Sequence, residues 1–303
     1  MKGSIVGIKR IIVVLMVVVM GGLIVGEAGA VNVLFYGNSY TRKYAVANVS
    51  LPDMVKAIAD AAGQPDVFVK DAAHNGRDFA WHLSSNQAVI GNTLSAGENW
   101  DYVVMQNYST RTLTSHSAGD LTKHRQNSVK LYQAVADHSG DVVPVLFETW
   151  SRAPGSPVMD SYADGRAGQD QMQAEIKAGY ALAAGDIDIA ADAVIAKIAG
   201  VGTAWQTADF SNLHHTDHSH ANQRGRMLSA LVMYSTIFED DTRDLLLSGK
   251  LDTALGMLNL SYADGDELTL VSDAVASVPE PVTGMMLVVV GGGMMLRRRR
   301  IAG

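Results

Sequence analysis

The sequence predicts a three-layer α/β fold, a central parallel sheet of about five strands between two layers of helices. Short β-branched and aromatic runs alternate with helical patterns along the chain, the arrangement that joins parallel strands by crossover helices. The body between the two chain ends is roughly 250 residues, large for one domain but ordinary for three layers, and it contains no internal repeat.

Taken in order, residues 31–36 form the first strand, a buried run that stops at Gly37. A helix over 51–62 follows, started by the Ser50 hydroxyl with Pro52 and Asp53 in its first turn. The alternation continues with a strand at 67–70 and a helix at 78–84, then a strand at 102–106 and a helix at 121–138. Residues 142–147 and 167–184 make the next such pair. Between 187 and 201 the alanine content suits a helix, whereas 195–201 fits a fifth strand. Asn222 precedes a helix whose Met227, Leu228, Leu231, Val232 and Ile237 make a broad apolar stripe. Residues 238–276 are expected to add one or two helices and a linker, which completes a domain over 31–276.

Ligands of open α/β sheets bind beyond the carboxyl ends of the strands, where the loops diverge. Ser39 sits there, in Gly37-Asn38-Ser39-Tyr40-Thr41 after the first strand. Much later comes Asp217-His218-Ser219-His220, whose spacing lets the carboxylate fold back on one imidazole nitrogen while the other faces a serine hydroxyl. The expected roles are Ser39 as nucleophile, His220 as general base and Asp217 as the group that orients it. The same loop also offers His214, His215, Asp217, His218 and His220 as metal ligands, and three suffice for a catalytic zinc. No His-Glu-x-x-His helix accompanies them, so a metal-dependent hydrolase is the lesser alternative. The surplus histidines are expected to face solvent or substrate, and no metal or organic cofactor is expected.

These two blocks resemble the SGNH or GDSL-like hydrolases, in particular a branch that begins with a G-N-S-x-T nucleophile block. Leu51-Pro52, Asp101 through Gln106, Glu148-Thr149-Trp150 and His220 through Gly225 extend the likeness over roughly Val31 to Phe238. The resemblance implies a flavodoxin-like α/β/α fold and a serine esterase working through an acyl-enzyme. Two departures stand out: Asn38 occupies the place where the family commonly has Asp, and the third block, usually Gly-x-Asn, is not matched cleanly. For the oxyanion hole the expected donors are the Ser39 N–H, the N–H of Gly76 in the block that resembles the family's second, and the side chain of either Gln106 or Asn107. Trp150, with Arg152 and the loop 154–157, should border the crevice, either as a sugar-stacking rim that binds substrate or as a buried loop anchor.

Both ends carry further signals. Lys2, Lys9 and Arg10 precede an apolar run of about 15 residues, short of the roughly 20 that span a bilayer, and Ala28-Gly29-Ala30 follows. Residues 1–30 therefore read as a signal peptide cut by signal peptidase. Residues 277–303 hold Pro279-Glu280-Pro281, an apolar stretch and Arg297 to Arg300, and resemble the PEP-CTERM sorting signal. That resemblance implies transient membrane insertion, removal by an exosortase-like protease and delivery to the cell surface, with a retained anchor as the alternative. The chain's formal charge is −7; without seven basic residues of the ends (Lys2, Lys9, Arg10, Arg297 to Arg300) and one acid, Glu27, the body from Val31 to Pro281, which keeps Glu280, stands at −13. So acidic a body excludes a nucleic-acid footprint. The absence of Cys excludes disulfides, Cys-ligated zinc and a thiol nucleophile. The expected function is an exported esterase, with acylated polysaccharide as a candidate substrate; an inactive carbohydrate-binding or matrix protein on the same scaffold is the alternative.

Overall fold

The computed structural model describes residues 30–43, 49–191 and 194–276. The sorting segment and all of the expected signal peptide except Ala30 lie outside these residues. Among the described residues no helix is long and apolar enough to cross a membrane.

Five strands, β1 (Val31–Tyr36), β2 (Val67–Asp71), β3 (Tyr102–Met105), β4 (Val143–Phe147) and β5 (Lys197–Ala199), form one parallel sheet in the order β2-β1-β3-β4-β5. The order reverses between β1 and β3, which opens a crevice at their carboxyl ends. Both faces of the sheet are buried, so its strands read as continuous apolar runs. Val33, Phe35, Val104, Val145 and Phe147 face one layer, made of α1 (Leu51–Ala62), α6 (Val201–Thr207), α7 (Gln223–Phe238), α8 (Thr242–Leu247), α9 (Asp252–Met257) and α10 (Tyr262–Ala276). Leu34, Tyr36, Val103, Met105 and Leu146 face the other, made of α2 (Phe79–Ser85), α3 (Ala88–Asn92), α4 (Leu121–Ser139) and α5 (Gly165–Ala190).

The predicted start of α1 is present as a reciprocal cap. Ser50 Oγ accepts the Asp53 N–H at 3.2 Å, and Asp53 accepts the Ser50 N–H at 3.3 Å. The helix stops at Gly63, whose φ of 87° a residue with a side chain rarely adopts. Asn222 likewise caps α7 through the Gly225 N–H at 3.0 Å.

One open reading is settled and two expectations are corrected. The ambiguous stretch resolves in favour of both readings: α5 extends to Ala190, and the fifth strand is only Lys197–Ala199, because an edge strand paired with β4 alone ends where Gly200 turns into α6. Among the described residues three helices follow α7, where one or two were expected. No linker precedes residue 276, because α10 folds back against α7, buries Leu268 and pairs its Glu267 with Arg224 at 2.7 Å.

Ser50→Ala removes one half of the α1 cap, and we expect it to lower the unfolding free energy by about 1 kcal/mol. A shifted urea midpoint with an unchanged m-value would be the signature.

Candidate active site

β1 delivers the chain into a tight turn with Ser39 near its apex. Gly37 is required there by close approach, since a Cβ would lie 2.2 Å from Thr41 Oγ1 and 2.9 Å from Gln106 Oε1. The turn is tied down from several sides. Gln106 Oε1 accepts the Asn38 N–H at 2.9 Å and the Thr41 hydroxyl at 3.1 Å. His82, held neutral because burial pushes its imidazole down to about 4, donates Nε2–H to Gly37 O at 2.9 Å. From α7 the buried Arg226 reaches the carbonyls of Tyr40 at 2.9 Å and Arg42 at 3.1 Å. Asn38 accepts the Tyr40 N–H at 3.1 Å and donates to Arg77 O at 3.2 Å and Asn107 O at 3.4 Å. An Asp in this place would set a carboxylate against two carbonyl oxygens, which accounts for the amide.

The second half of the site arrives on the loop between α6 and α7. An isolated bridge pairs His214 with Ala221, and His215 N–H donates to His220 O at 2.7 Å, so the loop is a closed lobe with Asp217 and His220 on it. His220 Nδ1–H donates to Asp217 Oδ2 at 2.7 Å, and the Ser39 hydroxyl donates to His220 Nε2 at 2.8 Å. Asp217 Oδ1 takes the Ser219 and His220 N–H groups at 3.0 and 2.9 Å. Partial burial opposes ionisation of Asp217, but those amides and the imidazole outweigh it and hold its carboxyl well below the usual carboxylate range. For His220, burial is the leading influence and lowers its proton affinity below the ordinary imidazole value of 6.5. Asp217 opposes the change, and Arg152 and Arg226 add to it. The imidazole is thus neutral at neutral pH, as a proton acceptor must be.

No family model and no curated protein matches the chain. Among solved structures, a candidate SGNH hydrolase from Slackia heliotrinireducens is 26% identical, with a TM-score of 0.51 over 69% of this chain and 100% of that chain. A DUF4886-family protein from Bacteroides uniformis superposes with a TM-score of 0.61 over 85% of this chain and 98% of that one, at 15% identity. The fold is that of the SGNH hydrolases. On the SGNH scaffold, the three residues read from the sequence as nucleophile, base and orienter occupy one hydrogen-bonded line at the reversal point of the sheet.

The oxyanion donors divide. The N–H groups of Ser39 and Gly76 make no hydrogen bond among the described residues, and Gly76 holds a φ of 69° in an exposed turn. Gln106 and Asn107 depart from expectation. Both are buried, and both carboxamide nitrogens donate to protein acceptors, Gln106 to Asn107 O and Asn107 to His124 Nδ1 at 3.0 Å. Asn107 Oδ1 meanwhile takes the Phe79 and Tyr108 N–H groups at 3.0 and 2.8 Å. The expected side-chain donor is therefore not preformed, and these residues brace the loops around Ser39 instead.

Trp150 is also corrected as a substrate-binding rim. It is 1% exposed and stacked on both faces, against Tyr40 at 4.4 Å and Trp205 at 4.2 Å between ring centroids. Its Nε1–H donates to Ser219 O at 3.0 Å. Nor do the surplus histidines all face outward. Burial first, with Arg152, pushes His214 down to about 4 against the hydrogen bond its Nε2 makes to Ser151 O at 2.8 Å. His218, by contrast, is exposed; it turns at a φ of 61° and lies beside Gly155. Among the described residues no three His, Asp or Glu side chains converge in a way that could hold a metal ion.

Three residues carry more of the site than their types advertised. Arg152, buried and pushed down to about 10 by burial, donates to Ser219 O at 3.3 Å, to Ser219 Oγ and to Ser109 Oγ at 2.7 Å. Tyr40 places its hydroxyl 3.2 Å from Ser219 Oγ and its ring edge-on to His220, 5.3 Å between centroids. Arg226 holds the other side of the Ser39 turn. No spacing or periodicity reveals a buried arginine, although Tyr40 and Arg226 lie within or next to the two blocks that the sequence singles out.

A proton titration of His220 followed by NMR should have its midpoint below 6.5. In Arg152→Gln the loss of a neighbouring positive charge should move that midpoint up; an unchanged or lowered midpoint would remove Arg152 from the electrostatics of the base.

Proposed function

We propose that the protein is an exported serine esterase that cleaves carboxylic esters through an acyl-enzyme, with acylated polysaccharide as its substrate class. The observation that carries this reading is the line Ser39 Oγ, His220 Nε2, His220 Nδ1, Asp217 Oδ2, with links of 2.8 and 2.7 Å. Neutral His220 takes the Ser39 proton as Oγ attacks the ester carbonyl. The imidazolium that forms is stabilised by ionised Asp217, which stays unprotonated. Negative charge on the carbonyl oxygen meets the Ser39 and Gly76 N–H groups. His220 then returns its proton to the departing alkoxide, which leaves an acyl-Ser39 ester. A water, deprotonated by the same imidazole, attacks that ester and releases the carboxylic acid.

An inactive matrix protein on this scaffold has no observation in its favour, since nucleophile, base and orienter are all present and within hydrogen-bond reach. Export rests on the charged and apolar pattern of residues 1–30. Surface delivery rests on the Pro-Glu-Pro, apolar and arginine pattern of 277–303.

Ser39→Ala should lower turnover of aryl acetates by about 10³-fold or more while leaving the thermal midpoint nearly unchanged. Wild-type turnover in that variant would exclude Ser39 from the chemistry. Independently, protein isolated from its native surface should have an intact mass lacking residues 1–30 and the segment beyond about Pro281. A mass that includes Arg297 to Arg300 would show a retained anchor.

A further inference from the structure

The turn that carries Gly76 is stitched to the residues just before the nucleophile. His74 N–H donates to Gly37 O at 3.0 Å, and Arg77 O receives the Asn38 amide at 3.2 Å. Its side chains are therefore neighbours of the reacting centre by construction. Arg77 is exposed and lies over the Trp81 ring, 5.0 Å from its centroid; His74 lies against the same ring at 4.7 Å. Arg42, three residues after Ser39, is also exposed. Among the described residues neither Arg42 nor Arg77 has a carboxylate within ion-pair distance. Of the nearby acids, Asp78 pairs with Arg111 at 3.0 Å, and the half-buried Asp71 accepts the Ala73 N–H at 2.9 Å and also feels the field of Arg42. After burial, the field of Arg42 is the next largest influence holding protons off His74; Arg77 adds to it and Asp71 opposes it.

Exposed cations beside Ser39, on a body of net negative charge, make a local positive rim that draws anions toward it. We propose that Arg42, His74 and Arg77, with Arg77 preorganised on Trp81, bind a carboxylate carried by the ester substrate, so that the preferred substrates are esters of acidic sugars such as uronic acids. This rests on the esterase reading and narrows it. The rim flanks the Gly76 N–H, so a carboxylate seated there would also fix which way the ester enters.

The test compares kcat/KM on matched acetyl esters of glucuronic acid and glucose, at low and high salt. One exposed ion pair changes binding only a few-fold, so two guanidiniums on one carboxylate should favour the acidic ester by about tenfold at low salt, and salt should erode the preference. Arg77→Gln and Arg42→Gln should each shrink the acidic-to-neutral ratio. Free glucuronate added to Ser39→Ala protein should raise the NMR titration midpoint of His74. A wild-type ratio near one, or a ratio indifferent to salt and to both substitutions, would overturn the proposal. Should no ester of any kind be turned over, the esterase reading falls, and the response of His74 to glucuronate still decides whether the rim binds carboxylates.

Discussion

Ser219 is held from three directions, and through it two segments 181 residues apart come within hydrogen-bond distance. Its carbonyl receives Trp150 and Arg152, and its hydroxyl receives Arg152 and meets Tyr40. Tyr40 directly follows Ser39, so the same side chain that borders Ser39 also touches the lobe bearing His220. The Tyr40, Trp150 and Trp205 rings lie nearly parallel, interplanar angles of 5° and 6°, and give this clamp a rigid apolar backing. Without it the lobe would keep its own short bridge and its ties from His214 to Ser151 O and from the Ala153 N–H to His218 O, but it would lose the hold nearest the His220 imidazole.

Buried positive charge is the second organising feature. Among the described residues neither Arg152 nor Arg226 has a carboxylate within ion-pair distance, and the donors of each go to carbonyls or hydroxyls. Such groups are expensive to bury unless their hydrogen bonds are satisfied. Burial is the leading influence that keeps His220 neutral, Asp217 opposes it, and the fields of Arg152 and Arg226 add to the effect of burial.

Much of this was legible in the sequence. The parallel sheet, the cap at Ser50 and the meeting of Ser39, Asp217 and His220 follow from apolar run lengths, a post-strand turn and a three-residue spacing, all local properties. What escaped depends on who packs against whom. Trp150 reads equally as a rim or an anchor until Tyr40 and Trp205 are seen to cover both its faces. Gln106 and Asn107 lie at the right strand end for a donor, yet their amides are claimed by neighbours from the turn after β1, from α2 and from α4. The helices after α7 were under-counted because their apolar positions fit short segments whose partner is another helix.

Asn38 has a consequence in time. An asparagine followed by serine is a site of slow deamidation through attack of the next backbone nitrogen on the side-chain carbonyl, and such residues are depleted where proteins must last at high temperature. Here the Tyr40 N–H grips the carbonyl oxygen, and Arg77 O and Asn107 O grip the nitrogen, so the carboxamide is kept from turning toward Ser39 N. If that grip loosens, the aspartate formed would repel the two carbonyls it replaced a donor for. The molecule would then age from the Ser39 turn outward, with the rest of the fold still intact.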